Sequence, residues 1–278
     1  HECSIALGSI LEPRTQDNYS SALQAYLEFC RLHQRPIVPT PDTFSYFIVF
    51  QSAHIKPQSV AVYLSGIVRE LEDHFPDVRA VRSHPLVVRT LAGCLKCHTS
   101  PVQRKTPLCV DDLTFAYDRL HCSTTLNDQL FLAQLYVGFD ALLRCDELTW
   151  PDLERHQCTR KLSMRHSLTL TAHVLQFTLP SHKADQCGDG NSILVKCTAR
   201  RNDTVGIMER YITGRNAAFP YHPQLWPTAS GNVPTWSWFM RRLHSLFMHA
   251  VSGHSMRAGG ATAMANSGII PHLIQAAG

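Results

Sequence analysis

The chain has 278 residues (31.2 kDa), 44% of them hydrophobic and 17% charged, enough to bury a full core in one large or two modest domains. That content excludes a disordered tail, no apolar run reaches the ~18 to 20 residues of a membrane span, and ten scattered cysteines exclude a disulfide miniprotein and read as a reducing compartment. The net charge of +4 lies entirely in residues 201–278, where six Lys/Arg face two Asp/Glu, which favours a polyanionic partner near that part. Starting at His1 rather than Met, the chain is expected to be a fragment, with no signal peptide to read.

Residues 1–98 read as four or five short helices forming one small all-α domain. Thr15 is placed to cap a helix whose apolar positions Tyr19, Leu23, Tyr26, Leu27 and Cys30 share a face. Pro36 and Pro39 punctuate its exit, and Thr40-Pro41-Asp42 starts a second helix carrying Phe44, Phe47 and Ile48. Lys56-Pro57 opens a third, with Val60, Tyr63, Leu64, Ile67 and Leu71 on one side, and a shorter helix follows Pro85. Cys94-Leu95-Lys96-Cys97-His98 matches the C-x-x-C-H pattern of haem attachment. No distal ligand and no second metal-ligand pair accompanies it, so it reads as a helix end. Residues 99–107, with Pro101, Pro107 and the basic pair Arg104-Lys105, suit an extended linker, the alternative being a loop within one domain.

Helices are then expected near Asp111–Leu120 and Asp128–Leu143. From Leu162 to Cys197 the period changes: Leu168, Leu170, Val174, Gln176 and Thr178 alternate, and Gly188-Asp189-Gly190-Asn191 makes a turn before Ile193-Leu194-Val195. Helical signals return at Thr204–Tyr211, Thr235–Phe247 and Ser255–Asn266, and a last helix begins at Pro271. The expected fold class is mainly α with a small antiparallel β-sheet (α+β).

Three fragments carry chemistry together: Gly138-Phe139-Asp140-Ala141-Leu142-Leu143-Arg144-Cys145-Asp146-Glu147-Leu148, Leu179-Pro180-Ser181-His182-Lys183-Ala184-Asp185-Gln186, and Gly253-His254-Ser255-Met256-Arg257-Ala258-Gly259-Gly260-Ala261-Thr262. An arginine after an apolar helix, a lysine before a β-turn and Gly-His-x-x-Arg opening a helix of small residues come in that order. This order resembles the tyrosine recombinase (phage-integrase-like) superfamily, with a closer likeness to recombinases of eukaryotic mobile elements, particularly those of fungal genomes. Thr15-x-x-x-Tyr19 and Ser59-x-x-x-Tyr63-Leu64-Ser65-Gly66-Ile67 look like that family's N-terminal domain, so the likeness spans nearly the whole chain.

The resemblance implies a helical core-binding (SAM-like) DNA-binding domain over 1–98, a linker over 99–107 and a catalytic domain over 108–278. Its activity is DNA strand cleavage and rejoining, as in site-specific recombination or DNA integration, through a 3′-phosphotyrosyl intermediate. Cleaving a phosphodiester with a side-chain nucleophile develops charge on two non-bridging oxygens and on the leaving 5′ oxygen. Two arginines hold those oxygens bidentately, so no metal or other cofactor is expected. Carried over by motif, Arg144 and Arg257 take that role, Lys183 is the general acid, His254 assists the nucleophile's proton transfer, and Glu147 orients the first arginine. Each has a plainer alternative: Arg144 as a surface arginine paired with Glu147, Lys183 as an exposed turn lysine, His254 as a helix cap. Gly259 and Gly260 are read as permitting close helix packing.

One departure matters. The family's nucleophile is a tyrosine a few dozen residues after H-x-x-R, whereas the eight tyrosines here all precede His254, with Tyr211 and Tyr221 the nearest. The catalytic domain is thus expected to be truncated before its nucleophile, and the chain to bind DNA without cutting it covalently. The alternative is a non-catalytic DNA-binding protein derived from a decayed or domesticated recombinase. Double-stranded DNA is the expected partner, gripped from both sides by a C-shaped clamp with Lys56, Arg104 and Lys105 on phosphates. A homo-oligomer (a tetramer on two DNA sites), no membrane association, and a nuclear location if the source is eukaryotic are further implications.

Overall fold

A computed structural model describes residues 12–98, 105–180, 190–198, 200, 202–247 and 251–277. The chain divides into two units, His1–Gln103 and Arg104–Gly278, a division that falls inside the Pro-bounded stretch 99–107.

Proline sets the start of most helices in the first unit, because its fixed φ suits the first helical position and its missing N–H is not needed there. Helices α1 (Pro13–Leu32), α2 (Pro41–Ser52), α3 (Pro57–Leu71) and α5 (Pro85–Cys97) all begin this way; the short α4 (Val78–Ser83) does not. At α2 the Thr43 N–H donates to the Thr40 hydroxyl at 3.1 Å, the cap read from the sequence. Thr15, by contrast, lies inside α1 and caps nothing: Pro13 starts the helix earlier, and the N–H groups of Thr15 and Gln16 donate to the Glu12 carbonyl at 2.8 and 3.1 Å. The core is aromatic: Tyr26 meets Phe44 and Phe47 edge-on at 5.6 and 5.5 Å between ring centres, and its hydroxyl donates to the Ile37 carbonyl. α1 packs on α3 across Gly66, where an added Cβ would stand 2.9 Å from the Tyr19 ring. The Cys94–His98 motif ends α5, with Cys94 buried and the His98 N–H on the Cys94 carbonyl at 2.9 Å.

The second unit is built round α7 (Leu126–Asp140), buried on every side from Leu130 to Phe139. Such an all-round apolar helix needs partners on all faces. It finds them in α6 (Val110–Leu120), α9 (Thr204–Ala218) and α11 (Ser255–Asn266), while the single turn α8 (Cys145–Leu148) follows it directly. The expected helix to Leu143 stops at Asp140, because the Leu143 N–H turns back to the Gly138 carbonyl at 2.9 Å and Leu142 takes a left-handed φ of +54°. α10 (Trp236–Phe247) and α12 (Pro271–Ala277) complete the helices, and α9 runs seven residues beyond the expected Tyr211.

The sheet is antiparallel in the order β1 (Thr169–Leu170), β2 (Val174–Leu179), β3 (Asn191–Lys196), with Val174 opposite Lys196 and Leu179 opposite Asn191. The core face of β2 is Leu175, Phe177 and Leu179; Gln176 and Thr178, in the phase counted from the sequence, face solvent. Gly188 and Asp189 of the expected turn lie outside the described residues, and Gly190, at φ +70°, leads into β3. Behind the sheet Arg215 is fully buried, donating to the carbonyls of Phe219 (2.9 Å), His222 and Gln224 (2.8 Å) and to the Asn216 side chain (3.1 Å).

α11 sits unusually close to its neighbours. A Cβ on Gly260 would collide with the Phe139 carbonyl oxygen of α7, and one on Gly259 with the Leu108 carbonyl oxygen. Main chain cannot yield as a side-chain tip can, so Gly260→Ala is expected to lower unfolding free energy by about 2 kcal/mol or more, measured by urea denaturation. At the other end of α7, burial pushes the Asp128 carboxyl up. Hydrogen bonds from Ser123, Thr125 and Arg242 (2.6 Å) outweigh that and hold it below its ordinary 3.8. A carboxyl depressed by folding contributes stability above its unfolded value and loses it as pH falls through the folded one. Stability should therefore fall below about pH 4, and less steeply in Asp128→Asn, as read from urea midpoints across that range.

Candidate active site

The second unit brings two distant arginines into each other's field. Arg144 emerges where α7 has ended in its left-handed cap, and it is fixed at two points by one carboxylate. Its backbone N–H donates to Glu147 Oε2 at 2.7 Å and its guanidinium to Oε1 at 2.9 Å. The Glu147 side chain is only 9% exposed, which strengthens that ion pair relative to a surface one. The turn below is anchored by Gln134, buried in α7, whose amide donates to the Leu148 carbonyl at 2.7 Å.

Arg257 lies in the first turn of α11. Met256 beside it is fully buried, and its sulfur would stand 3.1 Å from a Cβ on Gly138. The preceding turn rests on the arginine loop itself, since a Cβ on Gly253 would lie 3.2 Å from Cys145 Cβ and 3.3 Å from the Trp236 indole nitrogen. Burial lowers the Arg257 pKa from its ordinary value, the neighbouring Arg144 charge lowers it further, and Glu147 and Asp146 act in the opposite sense. Guanidinium stays protonated regardless, so the cost is first that of burying the Arg257 charge and second its repulsion by Arg144. An anion with several oxygens, set between them, relieves it.

The remaining residues are distributed as follows. His254 is exposed at the head of α11; its side chain makes no capping bond, and its N–H donates to the Ser252 hydroxyl at 3.3 Å. Lys183 and Arg104 lie outside the described residues. Lys56, in the first unit, and Lys105 are exposed. Tyr211 is not an available nucleophile: it is fully buried, its hydroxyl donates to the Leu225 and Pro227 carbonyls at 3.1 and 3.3 Å, and burial pushes its pKa up. Tyr221 is 95% exposed. The Cys145 thiol beside Arg144 is pushed up to about 12 by burial and is inert.

Several supporting residues went unread in the sequence. Asp140 accepts from both Arg200 and Thr204, tying the end of α7 to the start of α9. Asp152 accepts the Ser237 N–H and hydroxyl at 3.0 and 2.8 Å, and the Trp236 N–H donates to the Trp150 carbonyl at 2.7 Å, so α10 is pinned just past the arginine turn. A lone glutamine in an apolar helix was the available signal for Gln134; the pairs across sixty or more residues had none.

No family model matches the chain, and no curated protein matches it by sequence. Its fold, however, is similar to XerH site-specific recombinase bound to difH substrate in a pre-cleavage complex, with TM-score 0.61 and 13% identity over 94% of this chain and 72% of that one. It is also similar to the Tn1549 transposon integrase in complex with a circular intermediate DNA (TM-score 0.53, 13% identity, 91% of this chain and 89% of that one). A lambda integrase tetramer bound to a Holliday junction matches at TM-score 0.52 and 12% identity over 98% of this chain and 73% of that one. At these identities the likeness shows the fold alone, mainly helical with a three-stranded antiparallel sheet, similar to that of these recombinase and integrase structures.

Sulfate is the simplest probe of the arginine pair. It should raise the thermal midpoint of the wild-type chain beyond its general salting effect, by about 2.7 kcal/mol of stability at a hundredfold excess over its dissociation constant. Arg257→Ala should retain the general effect alone, as measured by parallel melts in sulfate and chloride.

Proposed function

We propose that this chain is a DNA-binding protein of the tyrosine-recombinase family, whose second unit holds a phosphodiester between Arg144 and Arg257 for strand cleavage and rejoining. The observation that supports this reading is the contact between the two arginine-bearing turns, Gly253 against Cys145 and Met256 against Gly138, with Arg144 clamped by Glu147. The two cations hold the non-bridging oxygens and stabilise the charge that grows in the pentacoordinate transition state. As a phenolic oxygen attacks phosphorus and the bond to the 5′ oxygen breaks, His254 takes up the nucleophile's proton and Lys183 supplies one to the leaving oxygen. The first unit is the core-binding domain in this reading, with Lys56 and Lys105 on phosphates. The same reading carries kinship with recombinases of fungal mobile elements, a tetramer on two DNA sites, and a nuclear location in a eukaryotic source.

A second reading, DNA binding without strand cleavage, is favoured by one observation: the buried Tyr211 hydroxyl is already committed to the Leu225 and Pro227 carbonyls. The two readings separate in one experiment. The 278-residue chain should bind duplex DNA with an affinity that falls steeply with salt, and Arg144→Ala or Arg257→Ala should weaken it. It should form no denaturant-stable adduct with a suicide DNA substrate. A longer chain ending in a tyrosine should form that adduct, and lose it again in Arg257→Ala. Salt-independent binding to duplex DNA would overturn the proposal, and an adduct with the present chain would show the nucleophile to be among its own tyrosines, Tyr221 first.

A further inference from the structure

Residues 99–200 hold eleven Lys/Arg and eleven Asp/Glu, but nine of those acids precede Arg155. From 155 to 184 there is no acidic residue, while Arg155, Arg160, Lys161, Arg165 and Lys183 all fall there. A soluble surface ordinarily intersperses the two signs, because a one-sign field repels itself unless a partner of opposite charge neutralises it.

The fold makes the first part of this stretch a fixed strip. Three one-turn 3-10 helices, Glu154–His156, Thr159–Lys161 and Arg165–Ser167, each carry two basic residues and bury no side chain. The main chain between them is pinned. The Leu225 N–H donates to the Ser163 carbonyl at 2.9 Å, the Arg165 N–H to the Pro223 carbonyl at 2.8 Å, and the Thr178 N–H to the Ser167 hydroxyl at 3.2 Å. Leu162 and Ser163 are buried beneath, and Arg165 turns to the Asn216 side chain at 3.2 Å. Arg160, Lys161 and His166 are left exposed on a backbone that cannot swing away. Cations held on pinned main chain suit a regular line of phosphates.

We propose that the strip of Arg160, Lys161 and His166 contacts the phosphate backbone of duplex DNA, in addition to the pocket of Arg144 and Arg257. This rests on the DNA-binding reading of that pocket. Each phosphate neutralised contributes ~0.9 to the slope of log affinity against log salt. Fluorescence anisotropy of a labelled duplex with the 278-residue chain should therefore give a slope smaller by ~2 in R160A/K161A, equally for unrelated sequences. R160K/K161R should keep the wild-type slope, and both variants should keep the wild-type melting temperature. An unchanged slope in R160A/K161A, with the wild type binding duplex DNA, would overturn the strip and leave the pocket reading standing. Absence of salt-dependent duplex binding by the wild type would overturn the pocket reading and the strip with it. A loss confined to single-stranded RNA would overturn the partner assigned here.

Discussion

Two glycines decide how close α11 comes to the core. With no side chain on Gly259 or Gly260, the helix meets the carbonyl oxygens of Leu108 and Phe139 directly, at a separation no other residue permits. The first turn of α11 and the turn before it inherit that position. Met256 reaches Gly138, Gly253 reaches Cys145, and Arg257 comes under the influence of Arg144 and Glu147. The arginine pair is thus a consequence of backbone packing, and its like-charge repulsion is opposed by a buried interface. Neither guanidinium has to be drawn in by the other's partner.

The first arginine is held differently, by strain and by a single acid. A leucine at φ +54° costs about 1–2 kcal/mol relative to an ordinary conformation, and a glycine at Leu142 would avoid it. The side chain justifies its place by being buried against α11, where it lies next to Gly260. The chain therefore leaves α7 sharply, and Glu147 closes the turn by holding both the backbone and the head group of Arg144. An arginine held at both ends loses little conformational freedom on meeting an anion, which is the physical content of preorganisation.

Much of this was legible in the residues. Thr40-Pro41 announced α2, Ser255–Asn266 was read with both ends in place, and the order of Arg144, Lys183 and Gly253-His254-Ser255-Met256-Arg257 pointed to the fold that the structural comparisons support. What failed was local competition and distance. Thr15 lost to Pro13 as the start of α1, and the helix through Asp140 stopped short because a left-handed residue other than glycine carries no sequence signal. The burial phase of β2 was set by Phe177 meeting Trp226 edge-on at 5.9 Å, a contact between residues far apart in the chain. The acid-free stretch after Glu154 was present in the sequence throughout, but averaging charge over residues 99–200 concealed it.

Arg215 shows a different division of labour between side chain and main chain. Its charge is met by no carboxylate among its described hydrogen-bond partners; apart from one asparagine, the acceptors are the carbonyls of Phe219, His222 and Gln224. Main-chain oxygens are supplied by any amino acid, so the segment that wraps the guanidinium depends on its path and hardly on its composition. Lysine, with three donors on one atom, does not reproduce a fork that reaches several carbonyls. Rigidity and sequence identity are therefore uncoupled in this loop: one position is confined to a single residue type, while its neighbours hold their shape and remain free to diverge.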